Sequence, residues 1–276
     1  MKKISTKASI YFLIAVIAII IVINIFAPLI APYDPTATQM TLRNELPSSV
    51  HWFGTDGLGR DVLSRVIYGG RGSLFISFFA TCLSMLIGIF IGGLAGWYDN
   101  WVDHSLQVLM SLFQSLPGLS ISIAVVGVLG PSNYSILIAL TLTGWSGVAR
   151  IVRSQVREIK HKQYIESART YLPSVFYLLF HHVLSALWPT LAVLTAQRMG
   201  RMMLSISALS FIGVGLQPPT PDWGVMIQDA KTYVIQQPWA LIAPAVMICI
   251  AAFCLTRLGE RLRDYRDAQM RTMENM

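Results

Sequence analysis

The sequence predicts an all-α, polytopic membrane protein, a bundle of about six transmembrane helices. Of its 276 residues, 54% are hydrophobic and only 13% are charged, whereas a soluble domain has about 25% charged residues. The hydrophobic residues are grouped in runs of about 20, the length that a helix needs to cross roughly 30 Å of hydrocarbon. Lys and Arg are concentrated in a few polar segments between these runs, as in membrane proteins of fixed orientation.

The apolar runs predict six spans, separated by polar or proline-containing breaks. They cover residues 8–30, 74–97, 104–129, 134–151, 184–208 and 240–258. The first run follows Met1-Lys2-Lys3 and is longer than the apolar core of a signal peptide, so we interpret it as a retained helix. Pro131 separates the third span from the fourth, and Pro218 follows the fifth.

The distribution of basic residues predicts the orientation of the chain. Fourteen Lys and Arg residues lie on the side that holds both termini and five on the opposite side, which places both termini in the cytoplasm. The polar segments are then an outer loop at 31–73, a cytoplasmic loop at 150–182 and a second outer loop at 209–239. We divide the chain into residues 1–73, the first helix with its outer loop, and residues 74–276, the main bundle. The net charge of +7 thus reflects cytoplasmic loops beside membrane lipid, and no nucleic-acid partner is expected.

The cytoplasmic loop is the segment most informative about function. After Glu166 come small residues, followed by a bulky apolar set that includes Phe176 and Phe180. This pattern predicts a short amphipathic helix that docks into a groove on a soluble partner. The alternative from the pattern alone is a helix that lies on the lipid headgroups.

The same stretch resembles the EAA loop of ABC-importer permeases. Glu166, Ala168, Arg169 and Phe180 match that motif, whereas Leu172 stands where the family usually has the turn-permitting Gly. The resemblance implies that the loop is the coupling helix that sits on an ATPase subunit. The coupling residues expected on this basis are Tyr164, Glu166, Ser167, Ala168, Arg169, Leu172, Phe176 and Phe180.

The first outer loop contains a glycine- and charge-rich segment from Gly54 to Asp61. It has neither the spacing of a phosphate-binding loop nor that of a calcium-binding loop, so a structured turn with ion pairing is the default interpretation. The segment is very similar to a signature of dipeptide, oligopeptide and nickel permeases, and residues 209–226 and 258–264 resemble two further segments of that family. The matching signature residues are Gly54, Thr55, Asp56, Gly59, Arg60 and Asp61. The chain is identified as a member of this family, which implies the type I transmembrane domain of an ABC importer.

Two arginines inside the fifth span, Arg198 and Arg201, are the candidates for contact with the solute. A charge at bilayer depth costs several kcal/mol and by default faces a bundle interior or water. Three residues apart, the two share a helical face, and arginine forms bidentate hydrogen bonds to carboxylates. They therefore predict an anionic solute in the path. A structural pairing with an acid of a partner subunit, or snorkelling to an interface, is the alternative.

The nature of the solute is argued from one further position. Peptide-type members often have Glu where this chain has Ile206, and an acid there would suit the amino group of a peptide. The segment 223–238 looks closer to nickel-type members. We therefore favour a nickel or metal-chelate (metallophore) solute over a dipeptide or oligopeptide. A secondary transporter or channel is the alternative of another class, but the spans contain no coupling carboxylates and a channel does not explain the coupling-type loop.

The resemblance also implies the partners of the chain. They are a second, homologous permease, two ATP-binding subunits and an extracellular or periplasmic solute-binding protein, assembled in the bacterial inner membrane. The chain has no nucleotide-binding motif, so ATP and Mg²⁺ are expected on the partner ATPases, with no cofactor on this chain. We identify no catalytic residues and no metal ligands, because its histidines and cysteines do not converge in the sequence.

Overall fold

The computed structural model describes residues 2–171, 174 and 177–274, which form a bundle of α-helices. In chain order the helices are α1 Lys2–Ile25, α2 Ala27–Ile30, α3 Val62–Trp97, α4 Trp101–Ser115, α5 Gly118–Leu129, α6 Asn133–Ile159, α7 Gln163–Tyr171, α8 Leu184–Ile212, α9 Trp223–Ala230 and α10 Trp239–Glu274. A 3₁₀ turn covers Met40–Leu42, and a π-helical segment, Leu178–Val183, leads directly into α8. The predicted all-α class is confirmed.

Within the described residues, four helices are long and apolar enough to cross a membrane: α1, α3, α6 and α10. A fifth span results if α4 and α5 are counted together. This pair corresponds to the predicted span 104–129, but it is bent by 86° where Pro117 interrupts the helix. Helix α8 has 29 residues but is not among the four, because Gln197, Arg198 and Arg201 make its middle more polar. The count is therefore four or five by length and composition, against the predicted six.

The helix ends differ from the predicted span ends. Helix α3 begins at Val62, so residues 62–73 are helical rather than part of the outer loop. Asp61 caps this helix, since its carboxylate accepts a hydrogen bond from the backbone N–H of Ser64 at 2.7 Å. The helix crosses the division proposed at residue 73, and that division stays a prediction. Helices α6 and α10 also continue beyond their apolar runs, to Ile159 and Glu274.

Helices α3 and α6 pack closely along a stripe of glycines on α3. A Cβ atom added to Gly88 would lie 2.5 Å from the Cβ of Val148, and one added to Gly96 would lie 2.6 Å from the carbonyl oxygen of Arg153. Only glycine permits this approach of the two backbones, as at other tight helix contacts in membranes. The pair α3–α6 therefore forms the centre of the bundle, with α8 packed against α3 and α10.

Candidate functional site: outer clamp, coupling helix and membrane arginines

The outer signature segment forms a tight turn that glycine makes possible. Gly59 has a φ of +73°, and a Cβ there would overlap the backbone carbonyl of Gln39. The carboxylate of Asp56 accepts hydrogen bonds from the backbone N–H groups of Leu58 at 2.9 Å and Arg60 at 3.0 Å. The turn is thus fixed by backbone geometry and by one carboxylate.

Four charged residues, which we call the outer clamp, join this turn and the start of α3 to the end of α9. They are Asp56, Arg60, Arg65 and Asp229. The Nε atom of Arg60 lies 2.6 Å from Oδ2 of Asp56, and its Nη2 lies 3.1 Å from Oδ2 of Asp229. Arg65 lies 3.5 Å from the same Asp56 oxygen and 3.8 Å from that of Asp229. Two cations and two anions therefore balance one another in a buried site.

The remaining signature residues also turn inward. Thr55 is buried and donates a hydrogen bond to the carbonyl oxygen of Leu42. Asp61 lies 2.9 Å from Nδ1 of His51 in addition to capping α3. The six signature residues lie together in one turn, from Gly54 to Asp61, and the side chains of Asp61 and Arg60 hold this turn against α3 and α9. This arrangement fits the default interpretation, a structured turn with ion pairing.

Tyr233 closes the outer clamp from the side of α10. Its ring lies against Gly57, where an added Cβ would be 2.7 Å from the ring. Burial, together with the negative charge of Asp56, raises the pKa of Tyr233 to about 12. The phenol therefore stays protonated at every physiological pH, and the charge balance of the clamp does not change.

Helix α7, the predicted coupling helix, has one buried and one exposed side. Ile165 is fully buried and packs in an apolar cluster with residues of α3, α6 and α8, whereas Tyr164, Glu166 and Ser167 are exposed. Ala168 is partly buried against the same cluster. Leu172 and Phe176 lie outside the described residues, as do the side chains of Arg169 and Phe180. The short helix thus presents polar side chains outward from an apolar base.

A group of ion pairs that the sequence analysis missed joins α6 to α4 and to the corner between α3 and α4. Arg153 of α6 forms a bidentate contact with Asp103 of α4, with distances of 2.5 and 2.7 Å. Lys160, at the end of α6, donates to the carboxylate of Asp99 at 2.6 Å and to the carbonyl of Trp97 at 3.3 Å. Its hydrogen bond holds the pKa of Asp99 below the ordinary value. The available signal was that the spacing of Asp99 and Asp103 matches that of the basic residues on α6.

The two membrane arginines of α8 have different surroundings. Arg198 is partly buried and donates from Nη1 to the carbonyl oxygen of Gly144 on α6, while its Nε has no partner among the described residues. Arg201 is exposed and forms no hydrogen bond or ion pair within the described part of the chain. Neither has an acidic partner there, and the exposed guanidinium of Arg201 is open to a group from outside the chain, whereas the Nε of Arg198 is buried.

Ile206 lies on the same helix, but in a different environment. Its side chain is fully buried in a cluster with Ile76, Leu140 and Met202. The residue therefore fills the contact between α8, α3 and α6. Ile206 is therefore not open to a solute.

No group of three or more His, Cys, Asp or Glu residues that could hold a metal ion occurs among the described residues. His181 instead stacks on Tyr177, with ring centroids 4.3 Å apart. Cys82, Cys249 and Cys254 are free thiols.

Membrane-length helices, a packed outer loop and an exposed short helix together define a multi-pass membrane protein. The family model for the binding-protein-dependent transport system inner membrane component matches residues 88–271. The chain belongs to this family and is a permease subunit of an ABC importer of the peptide and nickel type. It is accordingly a multi-pass protein of the inner membrane, and its fold is an all-α ABC-importer transmembrane domain.

Relatives of known name align along nearly the whole chain. The chain is 33% identical to the dipeptide transport system permease protein DppC of Alkalihalophilus pseudofirmus, over 93% of this chain and 84% of the relative. It is 33% identical to the glutathione transport system permease protein GsiD of Pectobacterium atrosepticum, over 93% and 85%. It is 34% identical to the oligopeptide transport system permease protein OppC of Bacillus subtilis, over 93% and 84%.

Proposed function

We propose that this chain is the permease subunit of an ATP-driven importer for short peptides. The relatives described above are named for dipeptides, oligopeptides and glutathione, which is itself a peptide. The nickel or metallophore solute favoured from the sequence has no support in these names. The preference for a metal chelate depended on Ile206 and on the segment 223–238. Ile206 is buried between helices, so it gives no information about the solute.

The observation that supports the transport mechanism is that α7 has one buried apolar side and one exposed polar side. Ile165 anchors the helix in the apolar cluster, and Tyr164 and Glu166 are presented outward. A rigid base with an exposed polar surface suits a helix that receives force from a soluble partner. The ATPase subunits bind ATP and Mg²⁺, their closure moves α7, and the bundle rocks to open the path to each side in turn.

The assembly that we propose contains this permease, a second homologous permease, two ATP-binding subunits and a solute-binding protein outside the membrane. Both termini and α7 lie in the cytoplasm, consistent with the excess of basic residues on that side. The outer clamp then lies on the side of the binding protein.

Arg198 and Arg201 contribute the contact with the solute in this proposal. The exposed guanidinium of Arg201 can form a bidentate contact with a carboxylate. Every unblocked peptide has a C-terminal carboxylate, so the two arginines suit peptides as well as they suit a metal chelate. The solute thus takes the place of the acidic partner that neither arginine has among the described residues.

The test is an uptake assay in cells that lack this gene and in complemented cells. Radiolabelled alanylalanine, trialanine and glutathione are compared with radioactive nickel. We expect peptide uptake to be lost in the deletion strain and restored by the gene, with nickel uptake unchanged. Loss of nickel uptake alone would contradict the peptide proposal, and peptide uptake that persists without ATPase subunits would indicate a secondary transporter or channel.

The coupling role of α7 is tested separately with the Glu166→Lys variant. Reversing this exposed charge removes the contact expected with the ATPase, so ATP hydrolysis and uptake become uncoupled. The matched control is Glu158→Lys, which makes the same change on the exposed side of α6. Equal coupling in the two variants would remove α7 from the mechanism.

A further inference from the structure

The ion pair between Asp99 and Lys160 connects the base of the coupling helix to the corner between α3 and α4. Lys160 is 2% exposed, although it lies in a basic cytoplasmic segment where lysines are ordinarily solvated. Its ammonium group is held by the carboxylate of Asp99 at 2.6 Å and the carbonyl oxygen of Trp97 at 3.3 Å. Both acceptors belong to the α3–α4 corner. A buried lysine with two such partners fixes the end of α6 to that corner.

The same lysine stands at the start of the turn into α7. Lys160 ends α6, and the backbone N–H groups of Ile165 and Glu166 both bond to the carbonyl of Lys162, so the turn is short and hydrogen-bonded. Ile165 packs in the same apolar cluster as Trp97 and Ile159. The polar contact of Lys160 and the apolar contact of Ile165 therefore join the same elements, within a few residues of each other.

A second contact extends this connection along α4. Arg153 and Asp103 form a bidentate pair, which has fixed geometry as well as attraction. Helix α4 is thus bound to α6 through Asp103, and the corner between α3 and α4 is bound to the end of α6 through Asp99. At its other end α4 leads into the 86° bend before α5. A displacement of α7 would therefore move the α3–α4 corner and α4 as one body and would be taken up at the bend.

We infer that Asp99 and Lys160 are positioning residues that transmit the movement of α7 to α4 and so to the bent pair α4–α5. This inference rests on the proposed coupling role of α7 and adds the route by which the movement reaches the membrane. The pair does not contact the solute or ATP. It acts by keeping the end of α6 and the α3–α4 corner at a fixed separation during the ATPase cycle.

The first test measures distance in the full complex with the partner permease, ATPases and binding protein. Cys82, Cys249 and Cys254 are first replaced by serine. Spin labels are then placed at Gln163→Cys on α7 and Trp101→Cys on α4, both of which are exposed and neither of which is among the predicted coupling residues. With Asp99 and Lys160 intact, we expect one narrow distance that nucleotide trapping leaves unchanged. In the Lys160→Met or Asp99→Asn variant, nucleotide trapping should shift or broaden the distribution of distances between the two labels.

The second test measures coupling, as peptide uptake per ATP hydrolysed in proteoliposomes with alanylalanine. We expect a loss of about tenfold in Lys160→Met, at the upper part of the range seen for residues on coupling routes. The charge exchange Asp99→Lys with Lys160→Asp should restore part of the ratio, because it re-forms the ion pair with its charges reversed, and the ratio is measured only on assembled complexes, so that a loss of folding does not alter it. Arg261→Gln, which alters a loose and exposed ion pair, is the control.

The outcomes separate this inference from the proposed function. If the Lys160→Met variant does not assemble into the complex, the Asp99→Asn variant is used to test the inference. This variant should assemble, because Asp99 is half exposed and asparagine has nearly the same shape. An unchanged distance and an unchanged coupling ratio in Asp99→Asn would overturn the inference even if Glu166→Lys uncouples transport. If Glu166→Lys leaves coupling intact, this result contradicts the proposed coupling role of α7, on which the inference rests. If alanylalanine is not transported, the distance measurement decides alone.

Discussion

The Nε atom of Arg60 lies 2.6 Å from the carboxylate of Asp56, and both side chains are about 95% buried. Breaking a buried ion pair leaves an uncompensated charge and costs roughly 3–5 kcal/mol. We expect Arg60→Met to lower the free energy of unfolding by about 3 kcal/mol, the lower end, because Arg65 still balances Asp56. Thermal unfolding of the purified complex measures this loss. Arg257→Gln, which breaks an exposed pair with Glu260, should cost less than about 1 kcal/mol, and equal losses would contradict the assignment.

The backbone conformation at Gly59 makes a second prediction. Its φ of +73° is in the left-handed region, which costs a residue with a Cβ about 1 kcal/mol or more. The Cβ would also overlap the carbonyl of Gln39. Gly59→Ala should therefore sharply reduce the yield of folded complex. Gly127→Ala in α5, where no atom lies within 4 Å of the added Cβ, should leave the yield unchanged, and a similar fall in both variants would refute the argument.

Asp222 predicts a pH dependence of stability. Its carboxylate caps α9 through the N–H groups of Gly224 and Val225 and accepts a hydrogen bond from Ser73. Burial raises the pKa of Asp222 above its ordinary value. Because the folded state then binds the proton more tightly than the unfolded state, this group stabilises the fold below the ordinary pKa. That contribution is lost as the pH rises to the raised pKa.

The Asp222→Asn variant has no such titration, and asparagine can still cap the helix. We expect the melting temperature of the unmodified protein, relative to Asp222→Asn, to fall as the pH rises above about 4, the ordinary pKa of an aspartate side chain. Asp222→Ala, which removes the cap, should cost about 1 kcal/mol or more at every pH. A constant difference between the unmodified protein and Asp222→Asn would show that the carboxylate does not titrate in this range.

Arg201 predicts a preference for peptides with a free C-terminus. We expect uptake of alanylalanine to exceed that of its C-terminal amide, because the amide cannot accept the bidentate hydrogen bonds of a guanidinium. Arg201→Gln should reduce this preference by about tenfold, as a charged hydrogen bond contributes roughly 1.5–3 kcal/mol. Arg263→Gln, at an exposed arginine of α10, is the control. Equal uptake of peptide and amide by the unmodified complex would exclude Arg201 as the carboxylate contact.

Much of the helical framework could be predicted from the sequence, because a membrane span is a local property of about 20 residues. The core of α1 follows directly from its apolar run. The start of α3 was missed because Ser64 and Arg65 make the segment look like a loop, although both side chains are buried against the outer turn. The 86° bend at Pro117 falls inside the predicted span 104–129. Its angle depends on packing that no local pattern records.

The contacts of the candidate sites were less predictable. The turn from Gly54 to Asp61 and the helix around Glu166 are local, and the sequence placed both. Arg60 and Asp229 are 169 positions apart, and nothing in the spacing of residues identifies such a pair. Lys160 belongs to the segment 150–182 that was predicted as a cytoplasmic loop, and its burial depends on how α3 and α6 cross.

The bend between α4 and α5 has a consequence for the biogenesis of this protein. Among the last carbonyl groups of α4, that of Leu112 accepts from the hydroxyl of Ser115, but the others have no helical N–H donors beyond Ser115, and Pro117 has no N–H to offer. Such groups are not tolerated against lipid tails, and are found only where protein or water covers them. If companion subunits cover these groups in the proposed assembly, a chain synthesised without them leaves the groups uncovered. We therefore expect the orphan chain to be degraded by membrane proteases, and its abundance in the cell to follow that of the scarcest companion.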